Sequence, residues 1–322
     1  MDLIWDAFVE SVAGALVSAS ATAVAALVCL PFGRQLRQGG SLWSRSLNEV
    51  GRGFAAGALL ADVALHLLPS CFAEGVHETH RSDAHGHKHS YTASGGLLLG
   101  LFTFFLLEKL IQWLQLVPVN ANANHESSKR KERQTPSSSS VATVGWLNLA
   151  ADAVHNFVDG MAIGAAFLTQ RRIGITTTVA VWLHEVPQEV GDFLILVQAG
   201  FTPMRALFLN LVCALSAVGG TVALFGVYWT IGHERESFVQ KAAPEMLEAM
   251  RSRVLPFAAG GLLYLATTSL MAQMQSMPPF YSSTGGGTKP LSARQQHAYR
   301  SGWQITGLVG GLVSILGVEH LL

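Results

Sequence analysis

An all-α integral membrane protein, a bundle of eight transmembrane helices, is the fold this sequence predicts, on three observations. Half of its 322 residues are hydrophobic and only 13% are charged, against about 25% charged in soluble domains. Mean hydropathy is positive. Eight stretches supply the roughly 20 mostly apolar residues that cross a bilayer; they lie at about 8–31, 51–71, 94–116, 143–168, 173–198, 203–230, 254–275 and 302–322. None of the connectors reads as a folded unit, so residues 1–322 form a single transmembrane domain.

Composition also excludes several function classes. A net charge of zero provides no global field for nucleic acid or another polyanion. Cys29, Cys71 and Cys213 have no paired spacing, so neither a disulfide framework nor a Cys-based zinc module is expected. The acidic stretch Met1–Glu10 lacks the basic segment of a cleavable signal, and the first apolar run is read as a retained span.

Taken in order, the first, third, sixth and eighth stretches are the most apolar, while the second, fourth and fifth carry ionisable residues near their centres. The second contains Asp62 and His66 at i and i+4. A relay along a pathway and a polar pair bonded inside the bundle explain those two equally well. The loop 72–93 holds His77, His80, His85, His87 and His89, five of the twelve histidines, and is expected to capture metal outside the cytosol. Glu108 and Lys109, near the cytosolic end of the third stretch, are accounted for by local pairing or snorkelling. The loops 117–142 and 276–301 are polar and rich in small residues, and are expected to be cytosolic and disordered.

Lys and Arg set the orientation. With the amino terminus outside the cytosol, twelve fall on the inner side, among them Arg34, Arg52, Lys129 and Arg300, and eight on the outer side, among them Arg81, Arg171 and Arg253. An even number of spans then puts both termini outside the cytosol.

The fourth and fifth stretches carry the chemistry. Asn148, Asp152, His155 and Asp159 recur at the 3.6-residue period and share one helix face, with Asn156 beside them. In the fifth, His184 and Gln188 share one line, and Glu185, Glu189 and Asp192 the next. The short connection Gln170–Ile173 makes the two helices antiparallel neighbours. Five carboxylates (Asp152, Asp159, Glu185, Glu189 and Asp192) meet no Lys or Arg except Arg171 and Arg172 in that connection. Unpaired carboxylates in a low dielectric take up protons or need a cation, and ionisable groups at this depth mark function by default. With two histidines among them, a divalent cation is the economical partner. Pro187 withholds a hydrogen bond from the Leu183 carbonyl, an interruption that transporters tolerate where they line a site.

These motifs carry a resemblance. HNFVDGMAIGAAF followed by HEVPQEVGDFLILVQAGF resembles the signature pair of the ZIP (Zrt/Irt-like protein) family of divalent metal transporters. The histidine-rich endomembrane subfamily is the most similar, and FAAGALLADVALHLLP and LPFAAGGLLYLAT extend the likeness over most of the chain. The resemblance implies eight helices, a homodimer, a location in the endoplasmic reticulum or Golgi ahead of the plasma membrane, and zinc moved into the cytosol. Carried over by position, His155, Asp159, His184 and Gln188 are the primary ligands, and Asn156, Glu185 and Glu189 are adjacent ligands or gate residues. Asp62, His66, Asp152 and Asp192 are expected along the pathway. Zinc is then the substrate, with no prosthetic group and no catalytic residue.

Two positions depart from the pattern. Gln188 stands where the subfamily usually has His, which should loosen zinc binding and admit harder ions such as Mn²⁺ or Fe²⁺. Ala272-Gln273 stands where relatives often have Pro-Glu, which removes an expected acidic ligand. The rival class is an intramembrane zinc metalloprotease, since His184-Glu185-Val186-Pro187-Gln188 approaches H-E-x-x-H. That chemistry needs His at the fifth position, and the sequence has Gln.

Overall fold

A computed structural model describes residues 2–38, 42–72, 86–116, 138–231, 249–276 and 292–321. Every regular element among the described residues is helical. The first stretch is α1 (Asp2–Ala19) and α2 (Ala21–Gln38), parted at Ser20. The second is α3 (Leu42–Ala61), a π-helical turn (Asp62–Leu67) and α4 (Leu68–Phe72). Three long helices follow, α5 (Gly86–Leu116), α6 (Ser138–Thr169) and α7 (Arg171–Gln198). The sixth stretch is α8 (Pro203–Ala214) and α9 (Ser216–Ile231). The seventh runs from a π-helical turn (Met250–Val254) through α10 (Leu255–Tyr264) and a second π turn (Leu265–Met271) to α11 (Ala272–Ser276). The last helix is α12 (Ala293–Leu321).

Among the described residues, five segments are long and apolar enough to cross a membrane: Ile4–Gly33, Trp43–Cys71, Thr92–Trp113, Pro203–Thr230 and Arg294–Val318. Helices α6 and α7 are as long, at 32 and 28 residues, but the polar residues of their centres dilute their hydropathy. The architecture explains how that polarity is tolerated. α6 packs against α1, α5, α7, α8, α9 and α10, and α7 against α1, α2, α3, α8 and α12. The two polar helices are therefore ringed by apolar ones. Leu99, Leu106, Phe208 and Ile305 on the outer helices are all more than half exposed, an outward apolar surface suited to lipid.

Small residues bring the helices together. A Cβ added at Gly160 of α6 would land on the Ala217 carbonyl of α9, and one at Gly311 of α12 would land on the Phe54 carbonyl of α3. Backbone contact this close is the small-residue packing of membrane helices. The connection between α6 and α7 is the single residue Gln170, in extended conformation, so the helices are antiparallel neighbours. α7 runs unbroken through Pro187. The proline has no N–H for the Leu183 carbonyl, yet buried packing on both sides keeps the helix whole. Glu108 accepts from Tyr264 and Gln112, each at 2.8 Å, while Lys109 lies 5.5 Å from the Phe105 ring centre.

One polar cluster had no counterpart in the sequence reading. Glu49 of α3 accepts from Arg52 at 3.1 Å and from Gln304 of α12 at 2.6 Å, with the Arg300 guanidinium at 3.2 Å. Arg300 and Gln304 also donate to the Met274 carbonyl of α11, at 2.6 and 3.2 Å. The carboxylate thus ties α3 to α12 and separates two guanidiniums, and its partners on α12 reach α11. Glu49→Ala is expected to cost about 2 kcal/mol, because it leaves two partly buried cations adjacent. A thermal melt in detergent checks this, and an unchanged midpoint contradicts it.

Candidate metal centre

Four buried side chains from α6 and α7 converge. On α6, His155 and Asp159 lie one turn apart, so their side chains stack along one face. On α7, His184 and Glu185 are consecutive, and the antiparallel register sets them opposite. His184 Nε2 is hydrogen-bonded to Asp159 Oδ2 at 3.1 Å, and His155 Nε2 lies 3.7 Å from the same oxygen. Glu185 Oε1 lies 3.8 Å from each imidazole Nε2. One ligand atom from each of the four residues falls within 4.8 Å of all the others. Ligands at zinc–nitrogen and zinc–oxygen bond lengths in a tetrahedron stand about 3.3 Å apart. The four imidazole–carboxylate separations, 3.1 to 3.8 Å, bracket that value.

The electrostatics agree with the geometry. All four residues are at least 94% buried. Neither Glu185 oxygen has a donor, and His155 has no hydrogen-bond partner on either ring nitrogen. Groups left unmatched at this burial cost several kcal/mol unless a further charge completes them. A divalent cation would use the two carboxylate charges and both imidazole lone pairs.

The other expected residues lie around this group. Asn156 turns away from it and donates to Asp152 Oδ1 at 2.8 Å. Gln188 is buried, with neither amide atom hydrogen-bonded. Glu189 belongs to a second polar cluster towards the C-terminal end of α7, where Thr22 of α2 donates to its Oε1 at 2.8 Å. Asn210 of α8 donates to the Glu189 carbonyl at 3.3 Å. Asp192 lies one turn further along and accepts from Asn148 at 2.8 Å. Asp62 is buried on the π-helical turn of α3, and the His66 ring stacks 4.5 Å from that of His184. His77, His80 and His85 lie outside the described residues, and His87 and His89 fall in the first turn of α5.

Thr22 and Asn210 were missed by sequence reasoning. Their only signal was polarity inside otherwise apolar stretches, which packing alone also explains. Their partner could not be named until α2 and α8 were placed against α7.

Comparison with known proteins accords with this geometry. The family profile described as ZIP Zinc transporter matches residues 9–133 and 115–319. Zinc transporter SLC39A7 of Rattus norvegicus is 32% identical over 336 residues, covering 86% of this chain and 66% of the rat protein. The Homo sapiens protein of that name is 31% identical over 335 residues, 86% of this chain and 65% of its own length. Zinc transporter ZIP13 of Pongo abelii is 32% identical over 270 residues, 84% of this chain and 71% of the relative. The chain thus spans slightly under two thirds of the length of the SLC39A7 relatives, 63 to 66% of the first three. With the profile covering nearly its whole length and its polar signatures gathered at one buried site, the protein belongs to the ZIP zinc transporter family.

Proposed function

We propose that this chain carries Zn²⁺ from the extracytosolic side or an organelle lumen into the cytosol, through the site formed by His155, Asp159, His184 and Glu185. The observation that carries the reading is the convergence of those four buried ligands, from two helices, at zinc-like spacing. Eight membrane crossings, both termini outside the cytosol, a homodimer and residence in the endoplasmic reticulum or Golgi complete the proposal. The luminal histidines His77, His80, His85, His87 and His89 collect the ion, and Asn156, Gln188 and Glu189 flank the path beyond the first site. Asp152 and Asp192 continue it towards release. Successive weak stations suit transport, because an ion held too tightly at one point does not leave.

Hydrolysis finds no support in this arrangement. A catalytic zinc keeps three protein ligands and one open position. Here four protein groups close on one point, and Glu185, the residue a protease would use as its base, is one of them.

Expression in cells deficient in zinc uptake tests the proposal. Cytosolic zinc rises above that of vector controls if it holds; no rise, with the protein present in the membrane, contradicts it. Gln188 sets selectivity in the same reading, because an amide oxygen is a harder donor than an imidazole. Gln188→His is expected to lower the half-saturation for zinc by about tenfold, a change of about 1.4 kcal/mol, and to reduce Mn²⁺ or Fe²⁺ uptake relative to zinc. Competition uptake with paired isotopes measures both. An unchanged ratio removes this role from residue 188.

A further inference from the structure

Glu189 lies one turn beyond Glu185 on α7, next along the same line of the helix. It is completely buried. The nearest Lys or Arg along α7 is Arg172, seventeen residues and about 25 Å away at 1.5 Å per residue. A hydroxyl holds the carboxylate instead. Thr22 of α2 donates to Oε1 at 2.8 Å, while Oε2 has no donor among the described residues. Asn210 of α8 steadies the backbone at the same residue, donating to the Glu189 carbonyl at 3.3 Å. One carboxylate oxygen is anchored and the other is left open to the interior.

Thr22 behaves unlike the other threonines of the bundle. A helical threonine commonly returns its hydroxyl to a carbonyl one turn earlier, as Thr169, Thr178, Thr230 and Thr306 do. Thr22 directs its hydroxyl to a carboxylate 167 residues away. One turn before it, the chain still belongs to α1. The Ser20 N–H bonds to the Leu16 and Val17 carbonyls at 3.1 and 3.0 Å, and the Ala23 N–H bonds to the Ser20 carbonyl at 2.9 Å, so α1 stops and α2 starts around one residue. The break is also tied to α7 by Trp182, which donates to Ser20 Oγ at 3.1 Å. Thr22 is the only hydroxyl or amide side chain between Ala21 and Gly33, a stretch in which an apolar residue would pack as well.

We propose that Thr22 is a positioning residue for transport: by anchoring Glu189 Oε1 it holds Oε2 ready for an ion that leaves the α6–α7 site past Glu185. The inference rests on the reading of Glu189 as part of the path. A hydroxyl suits this task better than a cation does. Lys or Arg would cancel the charge that attracts the ion, whereas a neutral donor orients the carboxylate and leaves it anionic. An unanchored glutamate would lose side-chain freedom each time an ion arrived, and the bond from Thr22 removes that freedom beforehand.

Uptake of Zn²⁺ by the full-length protein, measured over a range of concentrations, tests this. Thr22→Val keeps the branched shape and loses the donor. Its maximal rate should fall about tenfold, as for one lost hydrogen bond to a buried charged group. Its half-saturation should stay within about twofold of the parent's, because the four ligands of the first site are untouched. Thr22→Ser keeps the hydroxyl and should restore most of the rate. Glu189→Gln should slow uptake by itself, and adding Thr22→Val to it should slow it no further. A parental rate in Thr22→Val overturns the inference, and so does a change confined to half-saturation. An equal loss in Thr22→Ser overturns it as well, since packing would then be the cause, and so do losses that multiply in the double variant. Should Thr22→Val not yield a monodisperse protein, Thr22→Ala decides by the same criteria. The first site is read separately: if Asp159→Ala transports at the parent's rate, it is the four-residue assignment that fails.

Discussion

Replacing His155 or Asp159 by alanine is expected to abolish zinc uptake and to weaken zinc binding by at least about 100-fold. Outer partners of metal ligands already cost about 10- to 100-fold when removed, and these two are direct ligands in the proposed site. Asp159 is the more sensitive, because its Oδ2 lies 3.1 Å from His184 and 3.7 Å from His155. Without it, two buried imidazoles face Glu185 alone. The pair differs from a general folding defect in a measurable way. Both variants should remain monodisperse, since α6 and α7 keep their apolar contacts, and both should lose binding and uptake together. If either transports at the parent's rate, the ion does not pass between these side chains.

The second large effect concerns the frame rather than the site. Gly311→Leu should cost more than about 3 kcal/mol, beyond the usual range for overpacking, because the clash is with backbone rather than a movable side chain. A Cβ there meets the Phe54 carbonyl and lies 2.6 Å from the Ala58 nitrogen. α12 would have to leave α3, which carries Glu49 and leads into the π-helical turn that holds Asp62 and His66. A collapsed yield or a much lower melting midpoint in detergent is the expected result. A protein as stable as the parent would show that α3 and α12 do not pack this closely.

The sequence made some of this legible, for physical reasons. Polar residues on one face of two apolar helices advertise themselves, because their burial is costly without a purpose. His155, Asp159 and His184 stand out for that reason, with Gln188 expected as the fourth ligand and Glu185 beside them, and the short connection at Gln170 is enough to place the two faces opposite each other. The division of labour among their neighbours was not legible. Asn156 and Glu189 have the residue types and spacing of ligands, yet the fold turns one to Asp152 and the other to Thr22. Those choices depend on which helix stands opposite, and a helical period does not carry that information. The π turns were invisible too, since nothing in Asp-Val-Ala-Leu-His-Leu separates a wide turn from an ordinary one. Glu49 was obscured in a different way. Its partners Arg300 and Gln304 lie some 250 residues later, and near the end of a span each reads as an ordinary interfacial residue.

In the proposed function this chain by itself moves zinc through the α6–α7 site. Purified protein reconstituted into liposomes that hold a zinc-sensitive dye inside tests it most directly. Saturable zinc influx that empty liposomes lack and that Asp159→Ala abolishes is the expected result. Influx no faster than in empty liposomes, or equal influx in the Asp159→Ala protein, would contradict it.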